Sequence, residues 1–235
     1  MTSPLIIGHR GASAVAPENT IAAFEAAIHA GADGVEFDVR LTRDNVPVVI
    51  HDETLYRTHG VRARVAELTL NELNTIDVGG KERVPSVEQL FELFESNTMI
   101  LCLEMKGQQS QLAEACCRLI DQHRLKDRVI LSCFDHTTLE TVKNIDSAFR
   151  TAALFQPPAS LIVERTLSIG AAEIALHHRL VNKDVVEKAR AADLKVVTWT
   201  VDDPAWVKRA QASGIDALIT NNPSPLLAAR DASPV

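Results

Sequence analysis

Short apolar runs alternate with longer runs of helical spacing along almost the whole chain. The runs Leu5–His9, Gly34–Val39, Met99–Met105, Val129–Cys133, Thr151–Phe155, Glu173–Leu176, Lys195–Val201 and Asp216–Thr220 have the length and branched composition of buried strands. Between them, helical spacing predicts helices over Glu18–Ala30, Gln109–His123, Thr137–Asn144, Ala159–Leu167, Lys183–Ala192, Pro204–Ala212 and Ser224–Arg230. Several ends carry chemical punctuation. Gly31 and Gly214 follow helical runs, Ser86 is an N-cap for a helix reaching about Glu95, and Asp203 precedes Pro204 at a helix start. The second strand runs through Asp44-Asn45 into an apolar return arm, Val46–Ile50, which reads as a hairpin. Residues 52–84 break the rhythm and read as a small insertion with one short helix at Leu70–Ile76.

About eight strand–helix units in 235 residues predict an α/β protein, with a parallel sheet closed into a (β/α)8 TIM barrel as one domain over residues 1–235. A doubly wound open sheet is the rival, but no Gly-x-Gly-x-x-Gly follows the first strand. Aromatics are only 4% of residues, so the core has to be built from Ala, Val, Ile and Leu. A net charge of −7 argues against a nucleic-acid partner, but it leaves room for an anionic ligand in a locally cationic cleft. No secretory signal or membrane-length apolar run is visible, and Cys102, Cys116, Cys117 and Cys133 match neither a zinc motif nor a disulfide framework. These features read as a cytoplasmic protein with reduced thiols and no stable membrane insertion. They leave its oligomeric state open.

In a barrel the C-terminal strand ends carry the chemistry. Here the first ends in His9-Arg10, the second carries Glu36 and Asp38 at i, i+2, the hairpin arm ends in His51-Asp52, and the next strand carries Glu104 and Lys106. Side chains two apart share a strand face. Glu36-x-Asp38 alone would fit a solvated strand end, and Glu104-x-Lys106 alone an ion pair. Their recurrence at equivalent ends is not demanded by packing. Several inward carboxylates repel one another unless compensated, and a hard cation such as Mg²⁺ or Ca²⁺ compensates them through oxygen ligands. Asp52 and Glu18 are open between capping, pairing and lining the site.

The runs His9-Arg10-Gly11, Pro17-Glu18-Asn19-Thr20, Val35-Glu36-Phe37-Asp38-Val39, Val48-Val49-Ile50-His51-Asp52 and Leu103-Glu104-Met105-Lys106 resemble, in order and spacing, the glycerophosphodiester phosphodiesterase family. Similarity extends through Arg57-Thr58, Ala66–Thr69, Val84-Pro85-Ser86, Leu131–Phe134, Val197–Val201 and Gly214–Thr220. The resemblance implies metal-dependent hydrolysis of glycerophosphodiesters to sn-glycerol 3-phosphate and an alcohol. It implies Glu36, Asp38 and Glu104 as ligands of one divalent metal, Mg²⁺ or Ca²⁺, and His9 and His51 as the acid/base pair. It further implies Arg10 and Lys106 on the phosphate, His178 and Trp199 on the substrate, and Glu18 and Asp52 in support. The chain departs from the family at Asn221, where many members have Asp, and at Cys102, where many have Asn. The Asn221 change is expected to have modest effects at the rim. A phosphatidylinositol-type phospholipase C and a non-catalytic metal- or phosphate-binding barrel are the alternatives.

Overall fold

The computed structural model describes residues 3–76, 82–107 and 110–232. Nine strands occur among them: β1 (Leu5–His9), β2 (Gly34–Leu41), β3 (Pro47–Val49), β4 (Ile100–Met105), β5 (Val129–Cys133), β6 (Arg150–Phe155), β7 (Glu173–His177), β8 (Lys195–Trp199) and β9 (Ala217–Thr220). All but β3 pair in parallel, in the order β1-β9-β8-β7-β6-β5-β4-β2, and β1 also pairs with β2. The sheet is therefore a closed eight-stranded barrel, as the alternating pattern predicts. The short β3 runs antiparallel to β2 outside the ring, with Val39 opposite Val49, as the predicted hairpin requires. Its turn is made by Asn45 at φ 59° and by the Thr42 hydroxyl, which donates to Asp44.

Strand alternation sorts the side chains into two cores. Ile7, Leu154, Ala175, Val197, Ala217 and Ile219 point into the barrel. The intervening Ile6, Phe37, Leu103, Leu131 and Leu218 face outward into the layer between sheet and helices. With few aromatics available, that outer layer concentrates them. Phe24 packs edge-on against both Phe37 and Phe94, at 6.1 and 6.3 Å between ring centroids. Burying Phe37 outward is what forces its neighbours Glu36 and Asp38 inward. The hairpin and the segment after it form a third cluster of Val48, Ile50, Leu55, Val65, Leu73 and Val84.

Differences from the sequence reading have local causes. The first helix begins at Ile21 rather than Glu18, because Thr20 caps it by accepting from the Ala23 N–H at 3.2 Å. Glu18 and Asn19 are thereby released toward the barrel mouth. The helix predicted over Ala159–Leu167 spans Ile162–Ser168, and β8 stops at Trp199 instead of Val201. Residues 52–84 contain, besides the predicted helix (Leu70–Thr75), a short helix Tyr56–His59 and a 3-10 turn Val65–Glu67, both too short to leave a periodic signal. Gln109, the predicted start of one helix, lies outside the described residues. No described helix is long and apolar enough to cross a membrane.

Candidate active site

The register of the first strands brings the acidic residues together. His9 sits opposite Glu36, and Asp38 opposite Glu104. Carboxylate oxygens of Glu36, Asp38 and Glu104 all lie within 4.8 Å of one another, and all three residues are buried. After β1 the chain turns sharply through Arg10 at φ 54° and Gly11 at φ 80°. A Cβ on Gly11 would stand 2.5 Å from the Ala23 carbonyl carbon, so only glycine fits the turn. This turn lays the Arg10 side chain across the cluster: its backbone N–H donates to Glu36 Oε2 at 3.1 Å, and its Nε lies 3.0 Å from Asp38 Oδ2. From β4, Lys106 Nζ reaches Asp38 Oδ1 at 3.0 Å and also pairs with Glu104. Asn19 donates from Nδ2 to Asp38 Oδ2 at 2.8 Å.

Two cations do not neutralise three buried carboxylates. Burial, and then the Asp38 charge, pushes Glu36 and Glu104 up to about 8. Burial also opposes ionisation of Asp38, but Lys106 and Arg10 outweigh it and hold that carboxyl below the usual range. Although close to Lys106, Asp38 Oδ1 receives no aligned hydrogen bond. Three convergent buried carboxylates, two of them resisting ionisation, fit an oxygen-liganded divalent cation.

Each candidate acid/base histidine is held at Nδ1. His51 Nδ1 lies 2.7 Å from Asp52 Oδ1. Asp52 is in turn bound by Arg57, whose Nε donates to it at 2.6 Å and lowers it to about 2. Arg57 also makes a two-pronged contact with Glu18, at 2.8 and 2.6 Å, and Glu18 accepts from Arg10 at 2.8 Å. His9 Nδ1 meets Asn221 Oδ1 at 2.7 Å, and His9 Nε2 lies 3.8 Å from Glu36 Oε2. Burial, with Arg10 for His9, lowers both imidazoles below their ordinary value.

His9, Arg10, Glu36, His51, Glu104, Lys106 and Trp199 all line one cavity of about 150 Å³ at the C-terminal end of the barrel. Asp38 lies beneath it, fully buried. Trp199 is fixed by donating from Nε1 to the Ala175 carbonyl at 3.1 Å, and Phe134 packs edge-on against it at 5.6 Å. Cys102 lines the cavity wall, where burial raises its thiol. Glu18 and Asp52 stand beside the cavity in the Arg57 network.

His178 does not line this cavity. It opens the single turn after β7, its Nδ1 meets the Thr200 carbonyl at 3.1 Å, and its ring faces Trp206. Its neighbour His177 is the one that packs on Trp199, at 5.2 Å. Sequence reasoning gave no role to Asn19, Arg57, Asp202, Phe134 or Gln156. Asn19, Arg57 and Phe134 lie inside runs that carry the family resemblance, whereas Asp202 and Gln156 are loop residues, Asp202 meeting Thr220 and Asn221 and Gln156 lining the cavity.

The sequence model of the "Glycerophosphoryl diester phosphodiesterase family" matches residues 9–224. The chain belongs to this family. A glycerophosphodiester phosphodiesterase of Caldanaerobacter subterraneus subsp. tengcongensis is 34% identical over 95% of this chain and 96% of its own length. Among solved structures, an Oleispira antarctica phosphodiesterase in complex with the product sn-glycerol-3-phosphate is 28% identical, with a TM-score of 0.90 and 97% of each chain covered. The Thermotoga maritima glycerophosphodiester phosphodiesterase is 27% identical, with a TM-score of 0.83 over 97% of this chain and 99% of that one. The family match begins at His9 and ends beyond Asn221, so it takes in every charged residue of the cavity.

Proposed function

We propose that this chain is a metal-dependent phosphodiesterase that hydrolyses glycerophosphodiesters to sn-glycerol 3-phosphate and an alcohol. The observation that carries the reading is the convergence of Glu36, Asp38 and Glu104 with His9, His51, Arg10 and Lys106 around one cavity. The product complex of the Oleispira relative supports glycerol 3-phosphate as the product here.

Glu36, Asp38 and Glu104 would hold the metal, with Mg²⁺ or Ca²⁺ favoured because the donors are all carboxylate oxygens. When bound, such an ion polarises a phosphoryl oxygen and offsets charge that develops during displacement. With all three carboxylates ionised around a divalent ion, Arg10 and Lys106 bring the site to one net positive charge, complementary to the single negative charge of a phosphodiester. Arg10 presents a planar fork and Lys106 a point charge to the phosphate oxygens. As the attacking oxygen bonds to phosphorus, its proton passes to one imidazole. As the bond to the leaving oxygen breaks, the departing alkoxide takes a proton from the other imidazole. Direct attack by water gives glycerol 3-phosphate in one displacement; attack by a neighbouring glycerol hydroxyl first gives a cyclic phosphate, which water then opens with the two imidazoles exchanging roles.

The test is a panel of glycerophosphodiesters, carrying choline, ethanolamine or glycerol, assayed for glycerol 3-phosphate with and without added Mg²⁺ or Ca²⁺. Release that depends on the metal is the expected result. No release from any substrate, or full activity in excess chelator, overturns the reading. Intact phosphatidylinositol belongs in the panel to separate a phospholipase.

A further inference from the structure

The two histidines are held by chemically different partners. His51 Nδ1 faces the carboxylate of Asp52, but His9 Nδ1 faces the side-chain amide of Asn221. An amide can present either its oxygen or its NH₂ group, and the two choices impose opposite protonation on the ring. Asp202 decides between them. Its Oδ1 accepts the Asn221 backbone N–H and its Oδ2 accepts the Asn221 Nδ2, each at 2.8 Å. Burial opposes the charge on Asp202, but these donors and the Thr220 hydroxyl outweigh it and hold the carboxyl below its ordinary range. An ionised carboxylate can only accept, so the group facing it has to be the NH₂. The Asn221 oxygen is then turned toward His9, where it also accepts from Ser13 Oγ at 3.0 Å. An oxygen acceptor 2.7 Å from Nδ1 requires Nδ1 to carry hydrogen.

We propose that Asp202 and Asn221 act together as positioning residues that hold neutral His9 as its Nδ1–H tautomer, which leaves the Nε2 lone pair open to the cavity to accept a proton from the attacking hydroxyl. That an attacking hydroxyl meets His9 rests on the phosphodiesterase reading above; the tautomer does not, and it is the tautomer that assigns the base to this ring. Asp202 supplies from one step behind the negative charge that the amide lacks.

The experiment uses the full chain labelled with ¹⁵N-histidine, in long-range ¹H–¹⁵N spectra that distinguish the two neutral tautomers, with His9 assigned by loss of its signals in His9→Ala. Wild type is expected to show His9 protonated at Nδ1. Asp202→Asn, which frees the amide to turn, and Asn221→Leu, which removes the acceptor, are expected to shift His9 toward the other tautomer. Both should lower kcat on a glycerophosphodiester by about 10- to 100-fold, by analogy with loss of the groups that orient metal-bound imidazoles, with KM within about twofold. The exchanged pair Asp202→Asn with Asn221→Asp restores an acceptor facing His9 and a donor behind it. It is expected to recover the Nδ1–H tautomer and most of kcat, which a purely structural role would not predict. An Nε2–H tautomer in wild type, or retention of both the Nδ1–H tautomer and full kcat in Asp202→Asn and Asn221→Leu, overturns the proposal. An enzyme with the expected tautomer but no glycerophosphodiester turnover would instead overturn the functional reading and leave the positioning intact.

Discussion

Metal binding at the acidic cluster should be strongly coupled to proton release, and the size of the coupling follows from the structure. Glu36 and Glu104 are pushed up to about 8 by burial and by the Asp38 charge, so in the metal-free protein at neutral pH both are mostly protonated. A cation that binds to the carboxylates has to displace those protons. Each costs about 1.4 kcal/mol at one pH unit below its pKa, so two independent sites weaken binding on the order of 100-fold for each unit of pH below about 7. Coupling with Asp38 spreads the two steps along the pH axis without changing their sum. Titration calorimetry with Mg²⁺ or Ca²⁺ at pH values from about 6 to 9, in buffers of different ionisation enthalpy, measures both affinity and protons released. Affinity should climb with pH and level off above about 8, with release falling from nearly two protons to none. Glu36→Gln, which keeps the shape and removes one ionisation, should bind metal more weakly and release about one proton fewer. The linkage to folding has the opposite sign. Between the ordinary glutamate range and about 8 the metal-free folded state holds more protons than the unfolded chain, so its stability falls as pH rises through that window. Bound metal should cancel the fall. Affinity independent of pH across this range, with no proton release, would refute the account of the cluster.

Other outcomes follow from individual contacts. His51→Ala and His9→Ala should each lose roughly 10²-fold or more in kcat in a steady-state assay, the scale of a general acid or base. Arg57→Leu removes the shared partner of Asp52 and Glu18; because Arg57 is half exposed, the loss in thermal stability should be small, roughly 1 kcal/mol or less, and the effect should appear mainly in kcat through a loosened His51. Asn19→Leu strips both hydrogen bonds between Asn19 and Asp38 and puts a branched-chain residue at φ 59°, so it should cost at least about 1–3 kcal/mol in chemical denaturation of the metal-free protein.

The fold was legible because its two periodicities are separated cleanly along the chain. Inward-facing Ile7, Ala175 and Val197 and outward-facing Ile6, Ile174 and Val196 are apolar on both sides, which marks buried parallel strands. Residues 52–84 were opaque for the converse reason. Elements of three or four residues, such as Val65–Glu67 and Tyr56–His59, show too little of a helical period to be recognised and are held by contacts among Leu55, Val65 and Leu73 that no local pattern announces.

The site divides along the same line. The carboxylates were readable because a strand fixes where a side chain points: Glu36, Asp38 and Glu104 alternate with Phe37 and Leu103, and apolar neighbours that must face the helices leave the acids only the barrel interior. What was not readable is what sets each imidazole. His9 and Asn221 are separated by 212 positions, and Asp202 reaches the same point from the loop after β8. Closure of the barrel, which pairs β1 with β9, is what makes them neighbours. A loop residue carries no periodicity from which its direction could be inferred, so Asn221 reads from the sequence only as a residue of the rim. With Asn221 against His9 and Asp52 against His51, the two otherwise similar histidines differ chemically. One ring is paired with a carboxylate suited to stabilising an imidazolium. The other is paired with an amide that fixes a neutral tautomer without adding charge beside the acidic cluster. A full carboxylate at position 221 would add a further negative group next to Glu36, Asp38 and Glu104. The amide supplies the acceptor while keeping the charge one residue farther away.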